Sequence, residues 1–229
     1  EHTFLKIDED RTGPYPAGDE YARSNPQWIW QQCLHNAEFR MLVADRVHRH
    51  FDNAGALTPE SVAGLLAQRV AGLRLAVIGE SARWGDRPSR SDSVSRPRTL
   101  DDDWQQEVDR WFDEYIPERS GVVVDQLRKH GLIPDLASAR LAKLGGVVES
   151  GYELEMSAEQ GAVYYTLDGS DPRLVGGGVS PVAEKYSRPM RIGKRSVVKV
   201  RVLFEGEWSA IDELPFEIKD KKVATNLKK

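Results

Sequence analysis

The stretch Val163-Tyr164-Tyr165-Thr166-Leu167-Asp168-Gly169-Ser170-Asp171-Pro172 reads as a strand that runs into a tight turn. Val163, Tyr165 and Leu167 alternate with Tyr164 and Thr166, the period of two that sends successive side chains to opposite faces of a sheet. Asp168 and Asp171 can accept backbone N–H bonds, Gly169 can take a positive φ, and Pro172 stiffens the exit. Two neighbouring carboxylates are also hard oxygen ligands of the kind calcium takes. The spacing lacks the ligand count of an EF-hand loop, so the structural reading is preferred.

The same period recurs on both sides. Tyr152, Leu154 and Met156 alternate with Glu153, Glu155 and Ser157, and Val198, Val200 and Val202 alternate with Lys199 and Arg201. Short strands separated by Gly- and Asp-rich turns predict an antiparallel β-sandwich over residues 144–219. Residues 136–143 read as a linker. The polar, basic stretch 220–229 reads as a tail or a linker to a further domain.

Upstream the period lengthens. Residues 1–27 are broken by Gly13-Pro14, Pro16 and Gly18 and read as an ordered loop or connector. Over 28–135 the chain reads as helices. Phe39, Val43, Val47 and Phe51 recur every four residues with Leu42 beside them. Thr58, Pro59 and Glu60 form a helix start, and Val62, Leu66, Leu73 and Val77 then fall on one face. An Arg-, Ser- and Pro-rich loop follows Gly85. Asp101, Asp102 and Asp103 open a helix lined by Trp104, Val108, Trp111 and Tyr115, and a break is expected at Pro117 before a helix with Val123 and Leu127. The fold class is therefore α+β, a helical segment followed by a sandwich.

Charge follows the same division. Residues 144–229 hold 13 acidic and 13 basic side chains, so the formal charge of −4 resides in the first part. So small a charge argues against a nucleic-acid binder working through a broadly basic surface. The single cysteine, Cys33, excludes an internal disulfide and a thiolate-only zinc cage. No run is expected to reach the length of a membrane span. With Glu at position 1 and no signal segment, the chain reads as a piece of a longer or processed protein.

Other motifs are weaker. Cys33 has His35 nearby in sequence, but it is read as an inert core residue rather than a nucleophile. His48 and His50 point to different helix faces and make no zinc pair. Gly79-Glu80-Ser81-Ala82-Arg83 lacks the second glycine of a nucleophile elbow. Gly193-Lys194-Arg195-Ser196 is not a phosphate loop. Asp8-Glu9-Asp10 reads as a solvated acidic loop. Glu80 and Arg83, three apart, can pair on one helix face, and Trp84 reads as a residue covering apolar surface.

The Tyr-Tyr-Thr-Leu-Asp-Gly-Ser-Asp-Pro run resembles the signature of the chitobiase/β-hexosaminidase C-terminal module, a fibronectin type III-like sandwich. The residues carrying it are Tyr165, Asp168, Gly169, Asp171 and Pro172. The resemblance implies an accessory role in a secreted or cell-surface bacterial protein. Asn36-Ala37-Glu38-Phe39-Arg40, Asp45-Arg46-Val47, Glu80 to Asp86, Asp103-Trp104, Pro117-Glu118-Arg119 and Gln126-Leu127-Arg128, in this order, resemble the C-terminal part of CotH-family kinases. That resemblance implies ATP and magnesium as cofactors of the intact parent, and its missing kinase lobe as the partner of these helices. Glu1-His2-Thr3-Phe4 resembles the stretch just after the metal-binding Asp, which makes Glu1 and His2 weak nucleotide-site candidates. Every catalytic residue is expected upstream of residue 1, so the chain itself is expected to hold no cofactor and no activity. The alternative is a binding module whose exposed Tyr164 or Trp208 holds polysaccharide or a protein partner. A self-sufficient hydrolase would need two carboxylates across a cleft, and the sequence shows no such pair.

Overall fold

A computed structural model describes residues 6–13, 26–86 and 96–219. The readings of Glu1 and His2, of most of 1–27, of 87–95 and of the tail from 220 lie outside the described residues. The described elements are α+β. Helices α1 (Pro26–Cys33), α2 (Ala37–Phe51), α3 (Pro59–Trp84), α4 (Gln105–Arg110) and α5 (Ile116–Lys129) come first. The strands follow as β1 (Arg140–Leu141), β2 (Gly146–Val148), β3 (Tyr152–Leu154), β4 (Met156–Ser157), β5 (Ala162–Thr166), β6 (Glu184–Lys185), β7 (Met190–Ile192), β8 (Ser196–Phe204), β9 (Glu207–Trp208) and β10 (Asp212–Ile218).

Two compact units emerge, Glu1–Gly13 with His50–Leu127, and Pro14–Arg49 with Arg128–Lys229. In the first, Thr58 caps α3 by accepting the Ser61 amide, with Pro59 in the first turn. Thr99 caps the next helical run by accepting the Asp102 amide at 3.0 Å, while the Asp103 carboxylate takes the Thr99 amide at 2.8 Å. That reciprocal pairing is how an acidic run opens a helix. No break occurs at Pro117. A π-helical turn at Trp111–Tyr115 leads directly into α5, with Pro117 in its first turn, where a missing N–H costs least. Arg119 of α5 donates to the Ile7 and Glu9 carbonyls, and Gln126 donates to the Asp8 carbonyl, so the loop at 7–9 is gripped by its backbone.

Helix α3 corrects two expectations. None of its residues is buried, and Leu73, assigned to an inner face, is 53% exposed, as are Leu65, Leu75 and Ile78 to similar or greater extent. It is also 26 residues long with an 18-residue window of mean hydropathy 1.4, long and apolar enough by length and composition to cross a membrane. The glycines and alanines between its leucines and valines keep the whole stretch apolar, which a one-face reading concealed.

The second unit holds the sandwich. Its main sheet has the order β2-β10-β8-β5-β6 with β9 beside β8, and β3-β7 and β1-β4 form two further pairs. The pairs are antiparallel except one: β2 runs parallel to β10, with Val148 opposite Ile218. The wholly antiparallel expectation fails there because β2 and β10 lie at opposite ends of the sandwich sequence and need no hairpin. Leu154, Val198, Val200, Val202, Leu214 and Phe216 are each at most 2% exposed and make one core with Val148, Val163 and Ile192. Gly161 enters β5 at φ +78°, where an added Cβ would lie 2.4 Å from the Leu203 carbonyl oxygen. Gly161→Ala will therefore lower stability by about 2 kcal/mol or more, measured as a fall in the urea midpoint.

Helix α2 belongs mostly to this unit. Asn36 caps it by accepting the Glu38 and Phe39 amides. Val43, Ala44 and Val47 are buried, but Leu42, placed beside the apolar stripe, is 48% exposed. The inward face is shifted toward Glu38, Met41, Asp45 and His48.

Candidate functional site

Alternation along β8 puts Val198, Val200 and Val202 on one face and Lys199 and Arg201 on the other, where solvent is expected. Arg201 is instead 1% exposed. A buried guanidinium requires full pairing. Its Nε and Nη2 donate to Asp171 at 2.8 and 2.7 Å, and its Nη1 and Nη2 donate to Asp45 at 2.8 and 2.7 Å. Nη1 also reaches the Ser209 carbonyl at 2.8 Å and Met41 Sδ at 3.3 Å. Burial alone would lower the pKa of Arg201, but its hydrogen bonds to Asp171 and Asp45 outweigh that and hold the guanidinium above its ordinary value.

A second pair lies along the same helix. Arg173, just past the signature turn, grips Glu38 through both nitrogens at 2.5 and 2.8 Å, and the Gly176 amide donates to the same carboxylate at 2.9 Å. Arg173 foremost, then Gly176, pulls the Glu38 carboxyl down to about 2. Asp45 Oδ1 also accepts the Ile211 amide at 2.9 Å, and His48 Nε2 lies 2.7 Å from Asp212 Oδ1. Glu38, Met41, Asp45 and His48 are spaced three, four and three apart, one face of one helix. Ionic contacts thus join α2 to the turn and strands.

The signature turn is built as the sequence suggests and also feeds this cluster. Gly169 adopts φ +80°, and Asp168 Oδ1 accepts the Ser170 amide at 2.9 Å and hydroxyl at 2.6 Å. The Ser170 hydroxyl foremost holds the Asp168 carboxyl below its ordinary value. Asp171 accepts the Arg173 amide at 2.8 Å besides holding Arg201. Pro172 gives its carbonyl to the Ser180 amide.

Residues 153–211 match the family described as Fn3 associated. No curated protein and no solved structure matches the chain. The match supports the fibronectin type III-like reading for the sandwich and does not extend to the helices. The Fn3-associated segment is also smaller than the unit it folds in. β2 and β10, which complete the sheet, lie outside it, as does α2 with Asp45.

The remaining expected residues fall elsewhere. Tyr165 donates its hydroxyl to Glu184 at 2.8 Å, and burial, then that carboxylate, pushes its pKa up to about 12. Tyr165, Asp168 and Glu184 line one side of a shallow cleft of about 600 Å³, with Lys194 and Val197 also on its walls. Trp208, expected exposed, is 3% exposed, with Nε1 donating to the Gly177 carbonyl at 2.7 Å and its ring 5.8 Å from Tyr164. A line of exposed rings for sugar stacking is therefore not what these two residues form. At the end of α3, in the other unit, Arg83 lies over the Trp84 ring at 4.9 Å, and Glu80 is exposed. Among the described residues, no group of three or more His, Cys, Asp or Glu is placed to hold a metal ion.

Sequence reasoning missed Glu38, Asp45, Arg173 and Arg201 as a group. The signal available was Glu38 and Asp45 seven residues apart, two helical turns on one face, together with two arginines in a module otherwise read as sheet.

Proposed function

We propose that this chain is a non-catalytic accessory portion of a larger CotH-like kinase-type protein, and that its Fn3-associated sandwich serves to hold the upstream helix in place. The observation that carries this reading is Asp171. The most distinctive acidic residue of the signature turn has both carboxylate oxygens engaged by Arg201, which also binds Asp45 on α2. Its chemistry is that of a structural ligand, and Asp168 likewise closes its own turn. The helices suit an incomplete lobe, since α3 leaves Leu65, Leu73, Leu75 and Ile78 exposed among the described residues. ATP and magnesium belong to the intact parent in this reading, and the setting is secreted or cell-surface.

Calorimetric titration with ATP and magnesium tests it. This chain will show no binding, and a chain extended upstream through the expected kinase lobe will bind. Tight magnesium-dependent binding by the short chain overturns the proposal and makes Glu1, Asp8, Asp10 and Glu80 the first residues to replace.

A second reading is a binding module for a polysaccharide or protein partner. The cleft beside Tyr165 and Glu184 favours it, because carboxylates and Lys194 both line it. Chemical-shift changes confined to these residues on adding soluble oligosaccharide would support it.

A further inference from the structure

We propose that α2 is an acid-releasable latch on the sandwich, detaching from it as a helix while the sheet behind it stays folded. The proposal stands on the nature of the contacts. The clustered core of the sandwich is drawn from its strands, Leu154, Val163, Ile192, Val198, Val200, Val202, Leu214 and Phe216 among them, and includes no residue of α2. Val43, Ala44 and Val47 give α2 a small buried apolar face of its own, whereas the described bonds from α2 to the sandwich all involve charged side chains. Glu38 meets Arg173 and the Gly176 amide, Asp45 meets Arg201 and the Ile211 amide, and His48 meets Asp212. Acid strikes the charged contacts and spares the apolar core, because apolar burial carries no proton dependence.

The charged groups facing the latch are few and can be followed one by one. From α2 they are Glu38, Asp45 and His48. From the signature turn they are Asp171 and Arg173, from β8 Arg201, and from β10 Asp212. Protonating the carboxylates leaves Arg173 and Arg201 facing neutral groups, and Arg201 is too deeply buried to recover its solvation in place. The sign follows from Glu38. Its carboxyl is depressed from 4.5 to about 2, so its contribution is fully present above 4.5 and disappears as pH falls through the interval between them.

Hydrogen exchange on the whole chain, corrected for the intrinsic pH dependence of exchange, separates latch from sheet. The expected result is that amides of 39–49 lose protection by about tenfold or more between pH 4.5 and 2, while those of β8 at 198–202 keep theirs. Asp45→Asn should produce the same pattern at pH 7. Should Asp45→Asn fail to fold, Glu38→Gln supplies the check: the Glu38–Arg173 pair is less deeply buried than Arg201, and its variant should release α2 at a higher pH than the parent. Loss of protection in α2 and β8 together at every pH, or an α2 that stays protected throughout, would overturn the proposal.

Discussion

Replacing Arg201 by methionine will destabilise the second unit by about 3–5 kcal/mol, read from the urea midpoint at pH 7. The side chain is 1% exposed and joins two carboxylates that, among the described residues, have no other cation at such close range. Removing it leaves Asp45 and Asp171 facing one another with their negative charges uncompensated. Coupling decides whether this cost is electrostatic. Adding Asp45→Leu to Arg201→Met should recover part of the loss, because an apolar pair of similar volume replaces a broken ionic one. A double variant as unstable as the sum of the two single changes would mean that packing, not charge, is what Arg201 provides.

Phe216→Ala will have an effect of similar size and different character, about 3–5 kcal/mol. Phe216 is 1% exposed, sits on β10 between β8 and the parallel strand β2, and has its ring 6.2 Å from that of Tyr152. Deleting the ring opens a cavity at the junction of the two pairings. Since no charge is involved, the loss should be the same at pH 5 and pH 8. A small loss would mean that β2 and β3 close over the space. The two variants together distinguish the polar clasp from the apolar core within one folded unit.

The sandwich was legible in the sequence because its signals are local. Val198, Val200 and Val202 declare a strand by alternation, and Asp168-Gly169-Ser170 declares a turn by the geometry those residues permit. What escaped depends on contacts across long separations. The parallel pairing of β2 with β10 leaves no mark in either strand. Arg201 obeys the alternation and points away from the valines, yet it is buried, because Asp45 arrives from a helix 156 residues earlier. Leu42 and Leu73 read as inward because they are apolar, yet both are exposed, and in α2 Glu38, Asp45 and His48 share the inward face with Val43, Ala44 and Val47. Trp208 was taken for a surface ring, and only the structure gives its indole N–H the Gly177 carbonyl. The candidate site was thus half readable. The turn could be seen, but not the arginine that uses it.

The order of the chain gives the clasp a topological effect. Residues 50–127 leave one body at Arg49 and return to the same body at Arg128. With Asp45 and Arg201 joined, that stretch is a loop whose two ends are already pinned, much as a covalent cross-link would pin them. If it unfolds while the clasp holds, it gains less freedom than a free chain of its length. Asp45 and Arg201 lie 156 residues apart, and for a closed loop of that order the difference is about 5 kcal/mol of conformational entropy. Helices whose own apolar faces are thinly covered are thereby steadied from a distance, by a handful of charges that never touch them in sequence.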